Sequence, residues 1–169
     1  RALAERVALL AGQPAALLER ARRRIVVAPG AEVLVATLRA HGTDVVMVSG
    51  GFLAFARPLA ARLGCAAVEA NELEIAGGRL TGRVVEPILD RAAKRRALER
   101  HCAARGLEPS QAAAVGDGAN DLELLRAAGL GVAYRAKPAV AAAARQRIDH
   151  GDLTALLYFQ GYRREELAC

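Results

Sequence analysis

The sequence predicts an α/β protein on a mainly parallel sheet, and three observations carry that prediction. Short apolar runs at residues 44–49, 111–115 and 131–134 alternate with stretches of helical periodicity. Two of these runs end in small and polar residues, Ser49-Gly50-Gly51 and Gly116-Asp117-Gly118, and pass directly into a helical pattern. Such turns gather at the carboxyl edge of a parallel sheet, where helix N-termini and free N–H groups collect. Composition agrees: 169 residues with 53% hydrophobic and 25% charged residues suffice for one sizeable core.

The elements follow in order. Leucines and alanines at helical spacing predict a helix over 1–11, and Pro14 opens a second one to about residue 23. A domain boundary is expected near Pro29, followed by a helix over 31–41 that Gly42 closes. The strand at 44–49 leads through Gly50 and Gly51 into a helix over 52–63, with Ser49 able to bind an oxyanion or simply to cap that helix. Alternation on both sides of Ala76-Gly77-Gly78-Arg79 predicts a β-hairpin over 67–85, projecting from the domain as a flap. An amphipathic helix over 90–105 carries Lys94 near its start, a place where a lysine is usually solvated. After the strand at 111–115 come a short helix ended by Gly129, the strand at 131–134, an alanine-rich helix from Pro138 to about 145, and a final turn and helix over 149–159.

Composition also excludes. There is no apolar run long enough to span a bilayer and no signal-peptide pattern at the start, so a cytoplasmic protein without a membrane partner is expected. The net charge of +6 invites a nucleic-acid reading. The arginines are scattered over helices, with one run at 20–24 and no interleaved aromatic residues, so a solvated face accounts for them better and no nucleic-acid partner is expected. Cys65, Cys102 and Cys169 are odd in number and far apart, which fits neither a zinc site nor a disulfide scaffold and predicts buried or incidental thiols. Only two of the 24 basic residues are lysines, Lys94 and Lys137, and a compact ammonium is not chemically interchangeable with a guanidinium fork.

The most informative stretch is Gly116-Asp117-Gly118-Ala119-Asn120-Asp121. Asp117 leaves a strand end between two glycines, where the backbone can approach an ion closely. Magnesium needs only one or two protein carboxylates and fills its other positions with water and phosphate oxygens, so one well-placed Asp suffices. An Asp-Gly turn with Asn120 or Asp121 capping the next helix reads the same residues equally well. A dinucleotide fingerprint and an EF-hand loop both fail on spacing.

Taken together, Val48-Ser49-Gly50-Gly51-Phe52, Lys94 and the Gly116–Asp121 stretch resemble, in order and spacing, the phosphoserine phosphatases of the haloacid dehalogenase superfamily. Arg6-Val-Ala-Leu-Leu, Ala70-Asn71-Glu-Leu-Glu and the segment over 129–138 extend the likeness over nearly the whole chain. The resemblance implies a Rossmann-like core over 29–169, including the hairpin flap at 67–85, with residues 1–28 as the C-terminal part of a helical cap. It implies magnesium-dependent hydrolysis of L-phosphoserine, the last step of serine biosynthesis, through an aspartyl-phosphate. By the family pattern Ser49 and the Gly50 N–H bind phosphoryl oxygens, Lys94 neutralises charge, and Asp117 ligates Mg2+. Asn120 stands near the phosphate, Asp121 holds Lys94, and Arg6 grips the substrate carboxylate, an anion that suits its fork.

One motif of the pattern is missing: no D-x-D-x-T sequence supplies a nucleophile, and Asp44 and Asp90 stand in the wrong context to replace it. The expectation is an N-terminally truncated phosphatase whose parent is active while the chain alone is not. The absent strand is central in the family's sheet, so its neighbours are expected to carry unpaired backbone groups. Three alternatives remain: a non-catalytic phosphate- or metal-binding relative, a phosphatase or phosphotransferase for another small phosphomonoester, and a basic nucleic-acid-binding module.

Overall fold

A computed structural model describes residues 2–168; Arg1, at the start of the first expected helix, and Cys169, the third thiol, lie outside the described residues. The first half of the chain runs α1 (Ala2–Ala8), α2 (Ala16–Arg22), α3 (Ala31–Ala40), β1 (Val46–Phe52), α4 (Leu53–Leu63), β2 (Ala67–Ala76) and β3 (Arg79–Val85). The second runs α5 (Arg91–Ala103), β4 (Ala113–Gly116), α6 (Leu122–Ala127), β5 (Leu130–Tyr134), α7 (Pro138–Ala143), β6 (Gln146–Ile148) and α8 (Ala155–Phe159). Two compact units result, one of Arg1–Val27 with Gly42–Leu89 and one of Ala28–His41 with Asp90–Cys169.

In the first unit β2 is the middle strand, parallel to β1 and antiparallel to β3. The hairpin expected at 67–85 is present, and its tip is tied to the α1–α2 connection: Gly12 N donates to Leu80 O, Leu80 N to Gln13 O, and Ala15 N to Gly78 O, at 2.8, 2.9 and 2.9 Å. Pro14 bridges to Arg79 in this arrangement, and for that reason α2 begins only at Ala16. The apolar face of α1 closes a small core, in which Val7, Leu73 and Leu80 are buried and Leu10 and Phe52 pack against them. β1 overruns its expected end. Ser49-Gly50-Gly51 belongs to the strand, with a register shift between Ser49 and Phe52, so α4 starts one peptide later and is not capped by Ser49.

The second unit holds three parallel strands in the order β4-β5-β6. Its core is aliphatic and alanine-rich: Ala114, Leu125, Ala128, Ala133 and Val140 form one cluster, and Val132 and Leu157 are fully buried. Asp90 caps α5 by accepting a hydrogen bond from Ala93 N at 2.7 Å, which starts the helix where the sequence reading put it. The three-residue strand β6 was not expected; it shortens the alanine-rich helix to α7. β1 and β4 are both edge strands of their sheets. Among the described residues no helix is long and apolar enough to cross a membrane.

Candidate active site

Arg6, Ser49 and Gly50 lie in the first unit, and Lys94, Asp117, Asn120 and Asp121 in the second. In the first, Ser49 and Gly50 form the irregular end of β1, where the skipped register leaves the backbone of Gly50 and Gly51 outside the regular ladder. Gly51 N donates to Ser49 Oγ at 3.0 Å, so the hydroxyl oxygen is fixed while its proton stays available to an acceptor. The turn is held from beneath by Asn71, 2% exposed, whose Nδ2 donates to Gly50 O at 2.9 Å and whose Oδ1 accepts from Leu89 N at 2.7 Å. A buried amide with both ends satisfied by backbone is a rigid strut, because removing it would leave two backbone groups without partners. The sequence reading gave Asn71 no role. The available signal was strand alternation, which places Asn71 on the same face of β2 as the buried Leu73. Arg6 sits on the exposed side of α1, next to the buried Val7.

In the second unit Lys94 is buried, contrary to the solvated position its helix suggests. It lies at i, i+3 and i+4 spacing with Ala97 and Leu98 on the inward stripe of α5. Its Nζ forms an ion pair with Asp121 Oδ1, the two side chains being 8% and 6% exposed. Asp121 Oδ2 accepts from Gly118 N at 3.0 Å and more weakly from Asp117 N at 3.3 Å. The carboxylate is thereby occupied on both oxygens, and it does not cap α6 as the alternative reading had it. Gly116 makes room for it: a Cβ there would stand 2.6 Å from Asp121 Cγ.

Asp117 presents the opposite environment. Its main chain is pinned by the Asp121 carboxylate and by Lys137 N, which donates to Asp117 O at 3.4 Å. Its carboxylate is exposed and has neither hydrogen bond nor ion pair among the described residues. Asn120 is exposed in the 3-10 turn that follows. The second unit therefore offers one anchored cation and one positioned, unengaged carboxylate, the donor types that a phosphate and a hard metal ion call for. Among the described residues no group of three or more His, Cys, Asp or Glu side chains gathers into a metal cluster.

Comparison with known proteins decides the family. Residues 1–126 match the family model described as haloacid dehalogenase-like hydrolase. The chain belongs to that family. Among curated relatives, the phosphoserine phosphatase of Streptomyces coelicolor is 48% identical over 99% of this chain and 41% of its own length. Phosphoserine phosphatase SerB2 of Mycobacterium tuberculosis is 44% identical over 98% and 40%. The chain thus spans about two fifths of the length of these two relatives. A solved phosphoserine phosphatase, captured as a phospho-aspartyl intermediate analogue, superposes with a TM-score of 0.88 at 36% identity, covering 93% of this chain and 75% of that one.

Proposed function

We propose that this chain forms the phosphate- and magnesium-binding part of a phosphoserine phosphatase, which hydrolyses L-phosphoserine to L-serine and phosphate in the last step of serine biosynthesis, in the cytoplasm. The observation that carries the reading is the division of labour between the two aspartates of one turn. Asp121 is buried, saturated and paired with Lys94; Asp117, four residues earlier, is exposed and unengaged. Similarity to phosphoserine phosphatases over nearly the whole chain supports the substrate.

In this reading Lys94 keeps two of its three N–H donors after serving Asp121 and turns them on the nucleophile and the phosphoryl oxygens. Asp121 holds the ammonium in place. Ser49 donates its hydroxyl proton, and Gly50 its N–H, to phosphoryl oxygens, and preorganised donors of this kind stabilise the charge that develops during transfer. Asn120 orients the same group. Arg6 binds the substrate carboxylate. Asp117 would hold Mg2+: an unengaged carboxylate with a pinned backbone fits an ion that takes one or two protein ligands. Bound there, the ion supplies Lewis-acid polarisation of a phosphoryl oxygen. The attacking carboxylate, which becomes the aspartyl-phosphate, is not among these residues. The sequence contains no D-x-D-x-T, and Asp90 is engaged as a helix cap. We assign it outside the 169 residues, and residues 1–28 to the cap of the complete enzyme.

The test is phosphate release from L-phosphoserine by the intact protein that carries this chain. Release with Mg2+ that a chelator abolishes and added Mg2+ restores is expected. Release unaffected by chelator, or confined to other phosphomonoesters, would refute the reading.

A further inference from the structure

We infer that the β2–β3 hairpin sets substrate choice at a distance: through Gly82 and Arg79 it positions Arg6, and with it the preference for a phosphomonoester bearing a carboxylate. The inference rests on the carboxylate-binding role proposed for Arg6 and names what fixes that role in space.

α1 is a helix of seven residues, too short to hold itself in water, so its place is dictated by what it packs on. Its inward residue Val7 is 2% exposed against Leu73 and Leu80 of the hairpin, at 7% and 3%. Its exit is fixed by three backbone hydrogen bonds between residues 12–15 and 78–80, and by Arg79, whose Nη1 donates to Gly12 O at 2.7 Å. Gly82 makes the close approach possible. It has φ +81, and a Cβ there would stand 2.9 Å from Ala11 Cβ and 3.2 Å from Ala8 O. The second of these is backbone and cannot swing aside, so a side chain at 82 requires the end of α1, two residues from Arg6, to shift by a few tenths of an ångström against the hairpin.

The same cluster carries the second reference point. Phe52 packs against it and directly follows Ser49-Gly50-Gly51 in β1. Arg6 and the proposed phosphate turn are thus registered on one apolar cluster, of which the hairpin supplies the centre. A guanidinium that must meet a planar carboxylate in bidentate geometry is sensitive to displacements smaller than those a simple charge contact tolerates. Gly82 and Arg79 are accordingly positioning residues, not members of the binding set.

The experiment compares kcat/KM of the intact protein for L-phosphoserine with that for phosphoethanolamine, which lacks the carboxylate. Arg6→Ala sets the scale by collapsing the ratio. Gly82→Val is expected to lower the ratio several-fold through KM for L-phosphoserine, because a bidentate contact tolerates little displacement, with kcat for phosphoethanolamine unchanged. Arg79→Ala lowers it in the same direction by less, and Arg79→Lys restores part of the loss. A ratio unchanged in both Gly82→Val and Arg79→Ala, while Arg6→Ala collapses it, overturns this inference and leaves the site reading intact. A ratio unmoved by Arg6→Ala overturns the role of Arg6 itself. Should Gly82→Val not fold, Arg79→Ala, which deletes one exposed hydrogen bond, decides alone.

Discussion

Replacing Asp121 by alanine is expected to be the most damaging single truncation in the second unit, and its cost follows from burial. Lys94 and Asp121 are 8% and 6% exposed at the side chain, so neither charge has water to fall back on. Removing one member of such a pair strands the other ion in a poorly solvated site, at a cost of about 3–5 kcal/mol. The N–H groups of Asp117 and Gly118 also lose their acceptor, but this turn is partly exposed and water can take its place. The prediction is therefore about 3–5 kcal/mol, read as a fall in the urea midpoint of the intact protein at unchanged slope. The double variant Lys94→Met/Asp121→Leu provides the internal check: with both charges gone the desolvation penalty disappears, and replacing a buried pair by apolar residues is often close to neutral. It should unfold at higher urea than Asp121→Ala while being catalytically dead. A loss below about 1 kcal/mol for Asp121→Ala, the range of an exposed ion pair, would refute the buried-pair reasoning.

Three further outcomes are expected. Asp117→Asn should abolish magnesium-dependent turnover while changing stability by less than about 0.5 kcal/mol, because its carboxylate is exposed and unengaged; a urea melt and an activity assay on one sample check both halves. Asn71→Ala should cost about 2–6 kcal/mol, since Gly50 O and Leu89 N each lose a partner at about 1–3 kcal/mol, and should weaken phosphate inhibition by loosening the Ser49 turn. The third outcome concerns acid. The side-chain and then the backbone hydrogen bond from Thr154 hold the Asp152 carboxyl below its ordinary range. A depressed folded value stabilises above the unfolded pKa of about 3.9 and is lost as pH falls through the folded value. Thr154→Val should accordingly lower the urea midpoint at pH 7, and its gap from the parent should close below about pH 4; a gap that widens in acid would contradict the assignment.

How much of this was legible in the sequence differs from residue to residue. The parallel sheet and the placing of Asp117 at a strand end were legible, because strand, glycine turn and helix follow one another within a dozen residues and local chemistry fixes them. The burial of Lys94 was not. Arg91, Arg95 and Arg96 surround it in sequence, and its partner stands 27 residues downstream in another element. The end of β1 was misjudged for the same reason: Gly50-Gly51 reads locally as a turn, whereas pairing of Phe52 with Asn71 carries the strand past it. The strut itself, Asn71, joins Gly50 and Leu89 across intervals of 21 and 18 residues, which no local pattern reports. β6, three residues long, gives too short an alternation to recognise.

The most direct measurement is the site of covalent phosphorylation. The intact protein is mixed with radiolabelled L-phosphoserine in Mg2+, quenched in acid and mapped by peptide. A hydroxylamine-sensitive acyl-phosphate is expected, on a carboxylate outside the 169 residues, that Lys94→Met and Asp117→Asn each prevent from forming. Label on Asp44, Asp90, Asp117 or Asp121 would contradict that expectation, because a residue excluded here as the nucleophile would then be the one that attacks.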